Sequence, residues 1–351
     1  MRQYIAFDSH KHYTLAEQEE VRSGAIRQSR IEHTPGAIRA YLAQCEPGTK
    51  VVVEATANWY WIVEEIEQAK LVPVLAHPRK AKLMMGLINK TDSLDVHGLN
   101  VLQRNGTLPA VWLPTGPLRD MRELTRGRLT LGRDRTRLKN CIHAMLDKYG
   151  LRVTGYSDIF GKRARPELES LIARIPPHGR FMTQQKLEHL EYVCRQIQEV
   201  ETRIAELAEE TPEITLLQTM PGIGPILGTA AALEIGDVHR FPTQEHLAAY
   251  SGTVPRIHAS GGKVRYGKLR SDVNHYLKWA FIEAANSIAV NYKLWPDRFV
   301  SQRYMNVRRR KCHSIAVGAV ARHLAEAAWY VLKHKQPYRD PNAVRGQAVE
   351  A

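Results

Sequence analysis

The first hundred residues alternate short apolar runs with segments of helical periodicity, and this alternation limits the possible fold more than any other feature. Five runs have the length and residue types of strands, and they lie at 4–7, 13–16, 25–31, 50–53 and 71–75. Helical spacing is found between and after the later runs, at about 36–43, 59–68, 81–85 and beyond 91. Strands that alternate with helices predict a layered α/β domain at the start of the chain.

The remainder of the chain has a helical pattern. Residues 118–148 are helical in period and carry nine Lys and Arg against four Asp and Glu. Residues 184–210 repeat apolar side chains at three- and four-residue steps, which is typical of a coiled-coil contact and equally of the core helix of a bundle. We predict four parts, with boundaries 1–115 (α/β domain), 116–213 (basic and coiled-coil-like helices), 214–335 (helical domain) and 336–351 (polar tail).

The charge of the chain indicates its class of partner. Lys and Arg number 50 against 36 Asp and Glu, so the net charge is +14. A soluble protein this basic usually binds a polyanion, most often nucleic acid. The four cysteines are far apart and form no CxxC pair, so neither a disulfide framework nor a zinc site is indicated. We expect a cytoplasmic protein with no signal peptide and no membrane partner, because no apolar run reaches the ~18 residues of a membrane span.

Four acidic residues stand where a metal site could form. Asp8 and Glu54 each follow an apolar run, so each is expected at the carboxyl end of a strand. Asp92 and Asp95 are three residues apart at a predicted helix start, and this spacing puts both carboxylates on one helix face. Any one of them could be an ordinary turn or helix-start acid. Together they favour a site for Mg²⁺ or Mn²⁺, because hard divalent cations prefer oxygen ligands.

Two glycine-containing motifs indicate contact with phosphates. Gly222 and Gly224 lie between two predicted helices, which resembles a helix-hairpin-helix motif, with a plain turn as the alternative. A basic, glycine-rich loop surrounds Ser260, whose hydroxyl could attack phosphorus if activated. The loop chemistry alone favours a phosphate-binding loop without a nucleophile. Ser251 is a rival serine, in an apolar context that is more typical of a helix end.

Basic residues that we expect to contact nucleic acid fall in two groups. The first group surrounds Ser260 and consists of Arg256, Lys263, Arg265, Lys268 and Arg270. The second group lies on the basic helix of residues 118–148 and consists of Arg126, Arg128, Arg133 and Arg137. With Gly222 and Gly224, these residues form the predicted nucleic-acid-binding set.

Several motifs in a fixed order carry a family resemblance. They follow the Asp8 strand and are Val53-Glu54-Ala55-Thr56, Trp59-Tyr60, Ala76-His77-Pro78, Lys90-Thr91-Asp92-Ser93-Leu94-Asp95, Pro221-Gly222-Ile223-Gly224, Tyr250-Ser251-Gly252, Ser260-Gly261-Gly262 and Asn274-His275-Tyr276-Leu277-Lys278-Trp279. In this order the chain resembles the DEDD-type insertion-sequence transposases, which include pilin-gene invertases and are described as bridge-RNA-guided serine recombinases. The resemblance covers nearly the whole chain.

The resemblance implies a fold and a set of site residues. It implies a RuvC-like domain of the ribonuclease H-like fold, whose order of strands and helices matches the alternation above, followed by a mainly helical transposase domain. It also implies that Asp8, Glu54, Asp92 and Asp95 form a metal-binding tetrad and that Ser260 is the nucleophile. One departure is Val96, where the family usually has alanine. This difference concerns packing rather than metal binding.

The resemblance further implies the activity of a transposase or site-specific recombinase. Such an enzyme cuts and rejoins double-stranded DNA at the element ends and the target, guided by a non-coding RNA, as a dimer or tetramer in the bacterial nucleoid. From the residues alone, two alternatives stay open. One is a metal-dependent, resolvase-type endonuclease in which water attacks and Ser260 only binds a phosphate. The other is a non-catalytic nucleic-acid-binding protein that retains the fold.

Overall fold

A computed structural model describes residues 3–86, 91–209, 211–270 and 272–343. The chain divides into two compact units, with the boundary between Gly116 and Pro117. The first is an α/β unit and the second is mostly helical, so the predicted order of fold classes is confirmed. Lys90 and the last eight residues of the predicted tail lie outside the described residues.

One mixed sheet forms the centre of the α/β unit. Its strands are β1 (Gln3–Ser9), β2 (Tyr13–Glu20), β3 (Ile26–Glu32), β4 (Lys50–Glu54), β5 (Val72–Ala76) and β6 (Ala110–Val111). The spatial order is β3-β2-β1-β4-β5-β6. Strand β4 runs parallel to both β1 and β5, whereas the other neighbours are antiparallel. The edge strand β6 was not predicted, because two residues are too few to show a period.

Helices cover both faces of this sheet, and the alternation of side chains along β1 determines which face each residue meets. The helices are α1 (Ala37–Leu42), α2 (Trp59–Gln68), α3 (Pro78–Met85) and α4 (Asp92–Arg104). Ile5 and Phe7 are fully buried in the cluster formed with α1 and α2, whereas Ala6 packs in the cluster formed with α3 and α4. Asp8 shares the parity of Ala6 and therefore projects on the α4 side of the sheet.

The second unit is built from helices and one hairpin. The helices are α5 (Gly116–Lys148), α6 (Arg165–Ala173), α7 (Pro177–Glu209), α8 (Pro212–Gln218), α9 (Pro225–Ile235), α10 (Gln244–Tyr250), α11 (His275–Asn291), α12 (Phe299–Arg310) and α13 (His313–His334). The hairpin consists of β7 (Pro255–Ser260) and β8 (Lys263–Leu269). One hydrophobic core joins α5, α6 and α7, and another joins α8 to α13.

The apolar stripe of α7 is part of a core within the chain. Leu187, Leu190 and Val193 are at most 5% exposed and share a hydrophobic cluster with Leu138 and Ile142 of α5. Of the two interpretations of this stripe, the structure favours a core helix over an oligomer contact, because the side chains that would meet a partner are already buried.

Helix α13 is, among the described residues, the one helix long and apolar enough to cross a membrane by length and composition. Its central residues Val320, Ala321 and Leu324 are fully buried in the core formed by α8 to α13. The helix thus occupies the position of a core helix. Its apolar composition follows from that position, because a helix buried on most sides is apolar on most of its surface.

Candidate active site

The sheet brings Asp8 and Glu54 to one edge. Phe7 pairs in parallel register with Val53, so the residues that follow them stand at the same level on neighbouring strands. Parallel strands end at the same edge of a sheet, and both acids share the parity that faces α4. Asp8 is 7% exposed and Glu54 is half-buried. Their positions at the strand ends agree with the positions that the sequence predicts.

Helix α4 supplies the other two acids from its first turn. The Thr91 side chain caps the helix by accepting a hydrogen bond from the Leu94 N–H. Asp92 and Asp95 follow in the first turn, where the helix dipole favours negative charge. The carboxylates of Asp8 and Asp92 share His10 as a neighbour. His10 Nε2 lies 3.2 Å from Asp8 Oδ2 and 3.2 Å from Asp92 Oδ2.

Two residues near this cluster were missed by sequence reasoning. His10 follows Asp8 by two positions, in the turn after β1, and Tyr13 begins β2. The Tyr13 hydroxyl donates a 2.8 Å hydrogen bond to Asp92 Oδ2. The two rings are in contact, with centroids 4.6 Å apart. A histidine two residues beyond a strand-end aspartate was the available signal, but spacing alone could not show that its ring turns back toward the carboxylate.

The electrostatics of Asp8 fit a site for a cation. Burial raises the pKa of Asp8 above its usual value, and the negative charges of Asp92 and Asp95 raise it further, while His10 opposes the increase. A divalent cation relieves both costs, because it replaces lost hydration and offsets the repulsion between carboxylates.

The donor set also fits such a cation. One ligand atom from each of Asp8, His10 and Asp92 can be chosen so that all lie within 4.8 Å of one another. Two are hard carboxylate oxygens of the kind that Mg²⁺ and Mn²⁺ bind. The group is therefore a candidate metal site.

A second layer of polar contacts holds α4 against the sheet. Glu17 of β2 is fully buried. Its carboxylate lies 3.0 Å from His97 Nδ1 and accepts a 3.0 Å hydrogen bond from Asn100 Nδ2, both on α4. Gln28 of β3 donates to the other Glu17 oxygen at 2.8 Å, and it also pairs with Ser93 in the first turn of α4. These contacts fix the helix whose first turn carries Asp92 and Asp95.

The candidate nucleophile Ser260 belongs to the helical unit and lies at the tip of the β7–β8 hairpin. It pairs with Lys263 across a two-residue turn of Gly261 and Gly262, whose φ angles are +55° and +77°. Positive φ at both central positions is the geometry of a type I′ turn, which glycine adopts without steric cost. No described side chain hydrogen-bonds to the Ser260 hydroxyl.

The hairpin displays several of the predicted basic residues. Arg256, Lys263, Arg265 and Lys268 are all exposed. His258 pairs with Arg265 across the strands, on the same face as Ser260 and Lys263. Arg270, at the base, is instead paired with Asp272 through a 2.8 Å hydrogen bond.

The rival serine is not available to a substrate in this structure. Ser251 is fully buried at the carboxyl end of α10, where its hydroxyl donates to the Ala248 carbonyl at 2.9 Å. The structure therefore agrees with the interpretation of Ser251 as a residue at the end of a helix.

The two glycines of the turn before α9 differ from each other. Gly222 has φ of +76°, and a Cβ there would lie 2.5 Å from the Ala284 carbonyl oxygen of α11. The left-handed backbone and this close packing explain why residue 222 is glycine. No contact with a phosphate is needed to explain it. Gly224 stands at the start of α9, and a Cβ at this position would have no other atom within 4 Å among those compared. Its backbone therefore borders open space beside the amino terminus of a helix.

The basic helix α5 divides into paired and exposed arginines. Arg126 makes a two-bond contact with the fully buried Glu234, at 2.7 and 3.1 Å. Arg128 donates to Glu201 at 2.8 Å and its side chain is 13% exposed. Arg133 and Arg137 are exposed. The first two arginines hold neighbouring helices of the helical unit together, whereas Arg137 makes only a solvent-exposed ion pair, 3.6 Å long, with Asp134 among the described residues.

Comparison with known proteins agrees with this arrangement. Residues 214–301 match the family described as "Transposase IS116/IS110/IS902 family", and residues 5–151 match the DEDD domain of IS110-type transposases. The DEDD domain implies a RuvC-like fold, which suits the observed sheet and the four acids. It also implies a divalent metal.

Similar proteins cover most of the chain. The transposase for insertion sequence element IS1328 of Yersinia enterocolitica is 26% identical over 87% of this chain and 88% of its own length. A probable family 20 transposase of Pseudomonas aeruginosa is 26% identical over 86% of this chain and 89% of its own. The transposase for IS1111A of Coxiella burnetii is 25% identical, over 72% and 69%.

The two domain matches lie in the same order as the two units of the structure, and the full-length relatives are transposases throughout. Membership of this class favours an enzyme over the non-catalytic binding protein. The chain is therefore an insertion-sequence transposase, an enzyme that cuts and rejoins DNA, and both of its matched domains are of the IS110/IS116/IS902 type.

Proposed function

We propose that this chain recombines the ends of an insertion sequence with target DNA through a covalent link to Ser260. The observation that carries the proposal is that one chain holds both a carboxylate cluster at a sheet edge of its α/β unit and an exposed serine on a basic hairpin of its helical unit. The Ser260 Oγ would attack the scissile phosphorus, lose its proton to solvent, and displace one ester oxygen, which would leave as a free hydroxyl. Attack by a second DNA hydroxyl would reverse the chemistry and release the serine.

The tetrad would hold the metal that this chemistry requires. Asp8, Glu54, Asp92 and Asp95 would bind Mg²⁺ or Mn²⁺, which when bound stabilises charge on the phosphoryl oxygens. The acidic edge must be neutralised before a phosphodiester can approach, and a bound cation does this directly.

The exposed cations would hold the nucleic acids. Lys263, Arg265 and Lys268 would contact the phosphates beside the scissile bond, with Arg256 and Arg270 at the hairpin base. Arg133 and Arg137 of α5 are exposed and would contact a guide RNA, since the only ion pair of either among the described residues is the solvent-exposed pair of Arg137 with Asp134, whereas Arg126 and Arg128 have carboxylate partners in less exposed surroundings. Base pairing by the RNA would select the DNA sequence while the protein binds backbones.

The glycine turn before α9 would add a contact with the DNA backbone. Gly224 fits this role better than Gly222, because backbone N–H groups at the start of α9 border open space there. This is the part of the helix-hairpin-helix interpretation that we retain.

Joining strands from two DNA molecules requires more than one active serine, so we infer that the chain works as a dimer or tetramer. We expect it to act on the nucleoid in the bacterial cytoplasm. Multi-angle light scattering of the DNA-bound protein would give the number of copies.

A trapped covalent adduct tests the proposal directly. Labelled element-end DNA would be incubated with protein and Mg²⁺ and resolved under denaturing conditions. We expect a protein–DNA adduct with the natural chain and none with Ser260→Ala. Ser170→Ala, an exposed serine of α6, is the matched control and should leave the adduct unchanged. RNA sequenced from the purified protein should include one structured species encoded beside the gene.

A second candidate is metal-dependent hydrolysis by water, the chemistry of a resolvase-type endonuclease. The observation in its favour is that no described side chain accepts a hydrogen bond from the Ser260 hydroxyl. The same gel separates the two. If Ser260→Ala still cuts DNA and the natural chain gives no adduct, the water mechanism is correct and Ser260 only binds a phosphate.

A further inference from the structure

We propose that His10 is a ligand of the divalent metal and that its Nε2 binds the ion together with the carboxylates of Asp8 and Asp92. The inference rests on the proposed metal centre, and it adds a nitrogen ligand to a set of oxygen ligands. It would make the centre favour Mn²⁺ over Mg²⁺ more strongly than carboxylates alone.

The position of the His10 ring fits that of a metal ligand. Nε2 is buried although 35% of the His10 side chain is exposed. It lies 3.2 Å from one oxygen of each aspartate, yet it has no hydrogen-bond partner among the described residues. A buried nitrogen that is near two carboxylates but aligned with neither is arranged as a third ligand rather than as a hydrogen-bond donor.

Neighbouring residues hold the backbone of His10 in place. The His10 N–H donates to the Tyr13 carbonyl at 2.9 Å, which closes the turn between β1 and β2. The His10 carbonyl accepts a 2.7 Å hydrogen bond from Asn58 Nδ2, and Asn58 in turn accepts from Thr56 at 3.0 Å. Thr56 and Asn58 lie just beyond Glu54, so the turn is fixed to the strand end that supplies another acid.

Tyr13 restrains the ring itself. Its ring packs against the imidazole, and its hydroxyl donates to the same Asp92 oxygen that lies near Nε2. Metal-binding histidines and carboxylates are usually oriented by such outer contacts.

The spacing of the ligand atoms fits a shared ion. Two adjacent ligands of a six-coordinate ion, each about 2.1 Å from it, are roughly 3 Å apart. The two 3.2 Å separations are close to that value. Imidazole binds transition ions such as Mn²⁺ more readily than it binds Mg²⁺, which keeps oxygen ligands and water.

Pulsed electron paramagnetic resonance of Mn²⁺ bound to the full-length protein tests the inference without any measurement of activity. The natural chain should show ¹⁴N modulation from one coordinated imidazole, and His10→Gln should lose it. Calorimetry should show a loss of Mn²⁺ affinity in His10→Gln at least as large as the roughly 10- to 100-fold that an outer contact contributes, with a smaller loss for Mg²⁺. His12→Gln, the exposed histidine two residues on, is the matched control and should keep both properties.

The outcomes separate this inference from the proposed function. Mn²⁺ that binds in an Asp8-dependent manner without ¹⁴N modulation in the natural chain overturns the His10 ligand and leaves the carboxylate centre. Modulation that persists in His10→Gln also overturns it, because another histidine would be the ligand. Binding that Asp8→Asn does not weaken would instead contradict the proposed metal centre.

Discussion

The carboxylate edge and the serine hairpin differ in how firmly the folded chain holds them. At the edge, Asp8 is 7% exposed, Asp92 accepts a hydrogen bond from Tyr13, and the buried Glu17 holds α4 against the sheet. At the serine hairpin, every residue from Arg256 to Lys268 is exposed. The acids are positioned by the folded chain. The serine is positioned only by a two-glycine turn.

This difference indicates how the two parts would be brought into a reactive arrangement. Side chains locked by packing and a second layer of hydrogen bonds hold their geometry without a substrate. An exposed hairpin gains a fixed geometry only when its cations meet a phosphate backbone. We therefore expect the metal centre to form in the free protein and the serine to be aligned by bound DNA.

Removing one charge from the carboxylate edge should abolish strand cleavage. Asp8→Asn keeps the shape of the side chain but removes a metal ligand. A metal ion contributes several kcal/mol to transition-state charge stabilisation, so we expect the rate of DNA cleavage to fall by at least about 10³-fold. DNA binding in a gel-shift assay should persist. Glu32→Gln, on an exposed acid of β3, should cleave normally, and equal loss in both variants would contradict a specific role for the edge.

Filling the base of the hairpin should destabilise the helical unit. Gly252 has φ of +68°, and a Cβ there would lie 2.4 Å from a methyl carbon of Val273. Left-handed backbone and overpacking each cost about 1–3 kcal/mol for a residue with a side chain. Gly252→Ala should therefore lower the free energy of unfolding by about 3 kcal/mol in urea denaturation. An unchanged unfolding curve would show that the base is as loosely packed as the tip.

The sequence allowed much of the α/β unit to be predicted. Five strands and the helices between them show clear periods, and the strand-end positions of Asp8 and Glu54 follow from parity and strand direction. The structure adds what a linear pattern cannot contain. The position of His10 depends on a turn that folds its ring back, and the contact of Glu17 with His97 and Asn100 joins residues about 80 positions apart.

The helical unit was predicted less completely, for a related reason. Arg126 and an exposed arginine look alike in a basic helix, and only the fold shows that Glu234 lies opposite one of them. Likewise, Gly222 fits a phosphate-binding turn by composition, whereas its close contact is the Ala284 carbonyl. Composition gives the type of contact that a residue can make, and tertiary structure decides which partner it meets.

Loosening α4 should weaken metal binding without abolishing it. In Glu17→Gln, the side chain keeps its size, but one carboxylate oxygen becomes an NH₂ group that cannot accept from Gln28 or His97. Outer contacts of this kind are worth about 10- to 100-fold in metal affinity, which calorimetry with Mn²⁺ would measure. Glu19→Gln is the matched control on the same strand, because its partner Arg104 lies at the far end of α4. Equal losses in the two variants would show a general effect on β2 rather than a specific effect on the first turn of α4.

The smallest effect is expected at the hairpin tip, and it should separate stability from function. Gly262 has φ of +77° with nothing within 4 Å of a built Cβ, so Gly262→Ala introduces left-handed strain of about 1 kcal/mol and no clash. Because the tip contacts no core, the urea midpoint should stay that of the natural chain. Formation of the Ser260–DNA adduct should slow by about fivefold, since the strained turn populates the attacking geometry less often. A lowered midpoint would show that the hairpin is packed in the free protein, and an unchanged adduct rate would show that bound DNA overrides the geometry of the turn.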